Sequence, residues 1–392
     1  MVKVGIDQIS FYAPRHMIDL GELALARDAD PERFKKSVGQ ERMAVLAPDE
    51  DIVTLGAQAA QQILKDIDLN TIDTLFFATE SGIDQSKAAG LFVHELLDLP
   101  KTIRVVEIKQ ACYAATAALR LSLPILQQDP RKKILVIASD NARYGLGSSG
   151  ESSQGAGAVA FLLTSDPRII AIEPEQGLYT ESAMDFWRPN YCDEAFVDGM
   201  ASSRLYLNCL EKTWRVYEEA SQRHFSDHDF FCFHAPVARL VEKAFKHLMK
   251  ISGRSMEYTE ELMEHYIGAS LYYNREIGNC YTAAMYLSLC GLLDQSQADL
   301  AQKRVGFYSY GSGCVAEYFS GVIQDGYRSV LQTQNHKEQL NRRVTLSIEE
   351  YESFYRVPKA CDQGNHQFEN YHTSDFRLAE IKEHKRIYTI NK

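Results

Sequence analysis

Two short patterns occur twice in this chain, in the same order, and that repetition restricts the fold more than any other feature. QGAGAVAFL at 154–162 returns as YGSGCVAEY at 310–318, sharing G-x-G-x-V-A. CYAATAALRL at 112–121 returns as CYTAAMYLSL at 280–289, sharing Cys-Tyr, the Ala three residues after Cys and Leu at two further matched positions. One such echo is common wherever backbones pack closely; two in the same order imply a duplicated unit. In a duplicated α/β fold the matched helices meet near a pseudo-twofold axis, which brings Cys112 and Asn279 to one centre. Cys280, the literal match to Cys112, reads as a core thiol.

Strand-like runs at 2–12, 73–79, 104–108, 133–139, 158–163 and 169–174 alternate with helical segments at 54–66, 88–98 and 112–127. That rhythm predicts an α/β protein with a largely buried sheet. From about 200 to 293 the chain turns mostly helical, interrupted by FFCFHAP at 230–236, before RVGFYSY at 304–310 resumes the strands. The spacing predicts two halves, 1–170 and 171–392, with a helical insertion over about 200–275 and a C-terminal extension from about 330.

Composition excludes several functions. The formal charge of -11 argues against a nucleic acid as partner, since phosphate binding needs a clustered basic face, but leaves room for a local basic patch that holds a smaller anion. No apolar run approaches the roughly 18 residues a membrane span needs, and MVKVGIDQISFY lacks the apolar block of a signal peptide. A soluble, cytoplasmic enzyme is therefore expected. The eight cysteines (112, 192, 209, 232, 280, 290, 314 and 361) form no C-x-x-C pair, which argues against disulfides and zinc. The Gly-rich segments lack a P-loop lysine and the context of a dinucleotide fingerprint, so no cofactor and no metal is expected.

Cys112 ends what reads as a buried strand and opens a small-faced helix, where the positive end of the macrodipole should lower its pKa and make it a nucleophile. Glu80 follows the strand DTLFFAT, the place where α/β sheets present catalytic groups, and an apolar strand end should raise its pKa. His234, in an apolar run broken by Pro236, is expected to be partly buried beside a helix start. Gly311 and Gly313 flank Ser312 in a turn that allows close backbone approach. Arg239, Lys243, Lys246 and Lys250 form one helical stripe, either a solvated face or a cationic surface for a phosphate-bearing ligand.

ATESGIDQSKAAGLFVHELL (78–97), EIKQACYAATAALRL (107–121), ASDNARYGLGSSGESSQGAGAVAFLL (138–163), MDFWRP (184–189), CFHAP (232–236), REIGNCYTAAMYLSL (275–289) and FYSYGSG (307–313) together resemble the hydroxymethylglutaryl-CoA synthase family of the thiolase superfamily. The resemblance implies a thiolase-like fold, two pseudo-repeated βαβαβ halves in a layered αβαβα core, and a homodimer. It implies condensation of acetyl-CoA with acetoacetyl-CoA and water through an acetyl-Cys112 thioester. Glu80 would take the methyl proton, and His234 would hold the acetoacetyl carbonyl and help tune Cys112. The N–H groups of Cys112 and Ser312 would form an oxyanion hole, and Ser153, Ser202, Lys243 and Asn279 would contact substrate. Asp84, Asp140 and Asp185 match supporting acidic positions. The chain departs from the family pattern at Ser152-Ser153, where Pro-Thr is usual.

Other readings stay open at this point. A ketoacyl-carrier-protein synthase is disfavoured by Glu80; a synthase acting on carrier-bound polyketides differs only in its partner. Cys112, His234 and Asn279 stand in the order of a papain-like hydrolase, without its local signature. A non-catalytic acyl-CoA-binding scaffold would bind without acylation.

Overall fold

Most of the strand runs are buried on both faces, and their side chains alternate between two separate cores. In the computed structural model, which describes residues 2–357 and 364–391, nine strands form one sheet. They are Val4–Tyr12 (β1), Ile72–Ala78 (β2), Arg104–Ile108 (β3), Lys133–Asn141 (β4), Ala156–Ser165 (β5), Ile170–Thr180 (β6), Phe230–Phe233 (β7), Arg304–Gly311 (β8) and Val315–Ile323 (β9). Their order is β7-β8-β9-β6-β1-β5-β4-β2-β3. The sheet is joined in the middle by only two residue pairs, Gly5 with Ala171 and Ile6 with Ile170. A Cβ on Gly5 would sit 2.0 Å from the Ile170 carbonyl oxygen, so only glycine permits that crossing.

The sheet repeats itself about this junction. Outward from β1, the steps to β5 and then β4 are antiparallel, and the step to β2 is parallel. Outward from β6, the steps to β9, β8 and β7 follow the same sequence of directions. The first echo enters β5 in one half and β9 in the other.

The helices complete the layers. Ile52–Leu64 (α1) and Gly90–Leu96 (α2) cover one face, and Gly199–Ser221 (α4) and Ala238–Ile251 (α5) another. Ala114–Gln128 (α3) and Ala284–Gln295 (α6) lie between. Period-two alternation sends Phe76, Val136, Cys232 and Phe307 into the middle core with α3 and α6. Leu75, Phe77 and Ile137 face α1 and α2; Phe231, Phe233 and Tyr308 face α4 and α5. Every residue of α6 from 284 to 293 is buried, as expected of a helix apolar all round. The helical stretch after 200 thus supplies the outer layer of the second half through α4 and α5, and one middle-layer helix, α6.

One local expectation fails. β3 is not a buried strand but the edge of the sheet, with Arg104 and Val106 exposed. Its run of valines is apolar enough for either position, and pairing partners, not composition, decide which strand is last.

The second echo is offset in the structure. α3 and α6 begin at Ala114 and Ala284, and each is preceded three residues earlier by a non-glycine residue in the left-handed region, Ala111 and Tyr281, both at φ 43°. The backbone thus equates Cys112 with Thr282, not Cys280.

The segment from 330 packs on the body. Within Thr333–Asn341 (α7), His336 bonds Asp294 through Nδ1 at 2.6 Å and Ser10 through Nε2 at 2.9 Å. In Ile348–Arg356 (α8), Tyr351 and Tyr355 bond Gln154 and the Gly145 N–H. The run Asp49-Glu50-Asp51 accepts from the Tyr371 N–H, the Tyr12 hydroxyl and the Tyr388 hydroxyl in turn. Cys361 lies outside the described residues; the other seven cysteines are free thiols. Among the described residues no helix is long and apolar enough to cross a membrane.

Candidate active site

β2 and the β3–α3 junction deliver Glu80 and Cys112 to the same point. The Cys112 thiol donates to Glu80 Oε1 at 2.9 Å. Burial pushes the Glu80 carboxyl up to about 8, with the charge of Asp140 adding to it and the Cys112 and Arg188 contacts opposing. That is the direction expected of it. Cys112 goes the other way from its expectation: burial, then the Glu80 carboxylate, hold the thiol well above its ordinary value. A helix start contributes at most about 2 kcal/mol, while burial can move a group by about 3–5 pKa units, or roughly 4–7 kcal/mol. Desolvation beside a carboxylate therefore outweighs the dipole, and the resting sulfur is a protonated thiol.

Glu80 is held from below by Asp140, fully buried at the end of β4. One Asp140 oxygen accepts from the Glu80 N–H and Ser81 N–H, both at 2.9 Å, and from the Thr79 hydroxyl at 2.8 Å. The other accepts from the N–H and hydroxyl of Thr282. The slot that holds the thiol in one half thus holds, in the other, a threonine that anchors the base. Asp140→Ala would leave these five donors without their acceptor. It should lower the thermal midpoint by roughly 5 °C or more and slow proton abstraction at least about tenfold. A midpoint and single-turnover rate equal to wild type would contradict that role.

Asn279 lies beside this pair: its Nδ2 donates to the Tyr144 hydroxyl at 3.3 Å, and its Oδ1 accepts from the Tyr281 N–H. Tyr144 is close enough to Cys112 that the sulfur's charge contributes, after burial, to raising the phenol. Tyr144, Phe186 and Tyr281 pack edge to face at centroid distances of 5.7–6.2 Å. The Ser153 carbonyl accepts from the Asn279 N–H, while the Ser153 hydroxyl turns back to Gly150. Arg188 donates to the Glu80 carbonyl oxygen.

The turn between β8 and β9 closes the other side. Gly311 is pressed so tightly on the Cys112 segment that a Cβ would lie 2.6 Å from the Gln110 carbonyl and 2.7 Å from the Tyr113 nitrogen. Gln110 Nε2 donates to the Ser312 carbonyl at 3.3 Å. Asp185 receives the Gly313 N–H, the Tyr310 hydroxyl and the Ser202 hydroxyl, so Ser202 reaches the turn through one carboxylate. A cleft of about 1570 Å³ reaches Glu80, Arg188, Ser312 and Gly313.

His234 follows the end of β7, the counterpart of β2, so His234 and Glu80 stand at matching strand ends. It is fully rather than partly buried, and its N–H and C=O are taken by Tyr308 and Tyr206. Burial pulls the imidazole down to about 3, so the ring is neutral, and its Nδ1 has no protein partner among the described residues. Lys243 is exposed on α5 with Lys246 and Lys250; Lys246 pairs with Glu260 and Arg239 with Glu242. No hydrogen bond ties Lys243 to the other site residues. Asp84 lines the same cleft, exposed, and caps its own turn through the Ser86 and Lys87 N–H groups.

Sequence reasoning did not single out Tyr144, Tyr281, Arg188 or Gln110. All four lie in segments that carried the family resemblance, which was the available signal. Among the described residues no group of three or more His, Cys, Asp or Glu could hold a metal ion.

Models of the N-terminal and C-terminal parts of hydroxymethylglutaryl-coenzyme A synthase match residues 2–168, and 170–252 with 249–389. The chain is 42% identical to hydroxymethylglutaryl-CoA synthase of Enterococcus faecalis, over 90% of this chain and 92% of that protein. It is 33% identical to a polyketide biosynthesis 3-hydroxy-3-methylglutaryl-ACP synthase of Bacillus subtilis, over 91% and 89%. A crystal structure of HMG-CoA synthase complexed with CoA superposes with a TM-score of 0.94 at 40% identity, covering 99% of this chain and all of that one. The layered architecture is thus the thiolase-like fold, and with both family models and these identities the chain belongs to the hydroxymethylglutaryl-CoA synthase family.

Proposed function

We propose that this enzyme condenses acetyl-CoA with acetoacetyl-CoA and water to give (S)-3-hydroxy-3-methylglutaryl-CoA and CoA, through an acetyl group on Cys112. The observation that carries the reading is the 2.9 Å contact between the Cys112 thiol and the Glu80 carboxylate. In the first step the thiol loses its proton, sulfur attacks the acetyl-CoA carbonyl, and CoA leaves with a proton. The N–H groups of Cys112 and Ser312 would receive the oxyanion. Glu80 then lies within reach of the methyl of the acetyl group on sulfur and takes its proton. The carbanion adds to the acetoacetyl ketone, whose oxygen is protonated, and water releases the product thioester from Cys112.

His234, neutral and with a spare ring nitrogen, supplies a hydrogen bond to the acetoacetyl carbonyl. Asn279 orients the Cys112 surroundings through Tyr144; Ser153, Ser202 and Lys243 contact substrate, Lys243 toward the CoA phosphates. The same reading divides the chain into a half over 1–170 that supplies Glu80 and Cys112 and a half over 171–392 that supplies His234, Asn279 and Ser312. It places the enzyme in the cytoplasm, as a homodimer, in the mevalonate route to isoprenoids.

A pH profile follows from Glu80. The base must be ionised, and acetylation removes the thiol hydrogen bond that helps hold its pKa down to about 8. Single-turnover condensation of preformed acetyl-enzyme should therefore rise about tenfold per pH unit and level off only at or above about pH 8. His234, neutral above about 3, adds no limb near neutrality. A flat profile between about pH 6 and 9 would contradict the assignment.

The Bacillus subtilis relative, named for a carrier-protein substrate, favours one alternative: a carrier-bound β-keto thioester as acceptor. Turnover of free acetoacetyl-CoA against the carrier-bound form separates the two, and faster turnover of the free thioester is expected.

A further inference from the structure

The two backbone donors assigned to the oxyanion come from different elements, the start of α3 and the β8–β9 turn, and their separation must hold to a fraction of an ångström. A buried carboxylate bridges the two elements. Glu317, the third residue of β9, is 0% exposed. Its Oε2 accepts from the hydroxyl of Tyr113, the residue next to Cys112, at 2.6 Å. Its Oε1 accepts from Arg120 Nε, about two turns further along the same face of α3, and the Arg120 guanidinium also lies 4.5 Å over the Phe319 ring of β9. A second pin, from Thr116 to Ser309 at 2.8 Å, joins the same helix to β8.

We infer that Glu317 is a positioning residue: through Tyr113 and Arg120 it fixes the Cys112 N–H against the Ser312 N–H. This rests on the condensing reading above. Neither side chain needs to touch substrate for the effect. The Gly311 contact with Tyr113 presses the two segments together, and the carboxylate keeps them from sliding along one another. The phenol, raised by burial and by Glu317, remains a donor at working pH.

The test compares Tyr113→Phe, Glu317→Gln and the double variant with wild type, using acetyl-CoA. Tyr113→Phe leaves the Arg120–Glu317 pair intact and so keeps the protein folded even if Glu317→Gln loosens it. Acetyl transfer to Cys112, followed by intact mass, should slow about ten- to a hundredfold in each single variant, with half-saturation by acetyl-CoA within about threefold of wild type. The infrared carbonyl stretch of the acetyl-enzyme should move to higher frequency, because a displaced donor polarises it less; a purely structural pair would not move it. The double variant should be no slower than the slower single. Folded variants that acetylate at the wild-type rate with an unshifted carbonyl would overturn the inference, as would losses that multiply in the double. A wild-type protein that takes no acetyl group would overturn the condensing reading itself, and this inference with it.

Discussion

Glu80→Ala is expected to accept the acetyl group and then stop. Removing the carboxylate takes away the acceptor of the thiol hydrogen bond, but it also removes the negative charge that, after burial, does most to hold the thiol up. The sulfur of the variant therefore ionises more readily, and acetylation persists. Condensation has no such compensation. A methyl group beside a thioester is a weak carbon acid, and a positioned base contributes about 10²–10⁴-fold to such a step. Single-turnover condensation of acetylated Glu80→Ala should fall about 10³-fold. A variant that condenses at near the wild-type rate would remove Glu80 from the chemistry.

Cys112→Ser should lose overall turnover by at least about 10⁴-fold. The thiol already sits against its ordinary tendency to ionise, and a hydroxyl in the same buried place beside Glu80 would ionise far less. An oxygen ester would also make the acetyl methyl protons less accessible to Glu80 through a shorter, differently angled bond. The surrounding fold gives no reason for collapse, since the substitution changes a single atom. Retained turnover in a folded Cys112→Ser protein would leave a different nucleophile to be found.

Much of this was legible in the chain itself, where the information is local. Strands buried on both faces show as short apolar runs, and β2, β4, β5 and β6 fall within a few residues of the runs that announce them. Duplication was legible because both echoes fall on matching elements of the two halves, although the helix echo pairs Cys112 with Cys280 where the backbone equates it with Thr282. What escaped was non-local. β3 lies at the edge because it pairs with β2 on one side and no strand follows it on the other, a fact about pairing. The direction of the Cys112 shift is set first by burial and then by Glu80, which arrives from another strand 32 residues away. Asp140 looked secondary because its five donors come from positions as distant as Thr282. Asp84, with the same side chain, caps its own turn, and no local signal separates the two. Likewise the clasp of Asp49 and Asp51 on the C-terminal segment joins residues more than 300 positions apart, and Glu317 meets Tyr113 across 204.

The central claim is an acetyl thioester on one sulfur, and intact mass after exposure to acetyl-CoA tests it most directly. Wild type and Glu80→Ala should each gain the mass of a single acetyl group, mapping to the peptide that contains Cys112, and Cys112→Ser should gain none. An unmodified wild-type chain, or an acetyl group that survives in Cys112→Ser, would contradict the account.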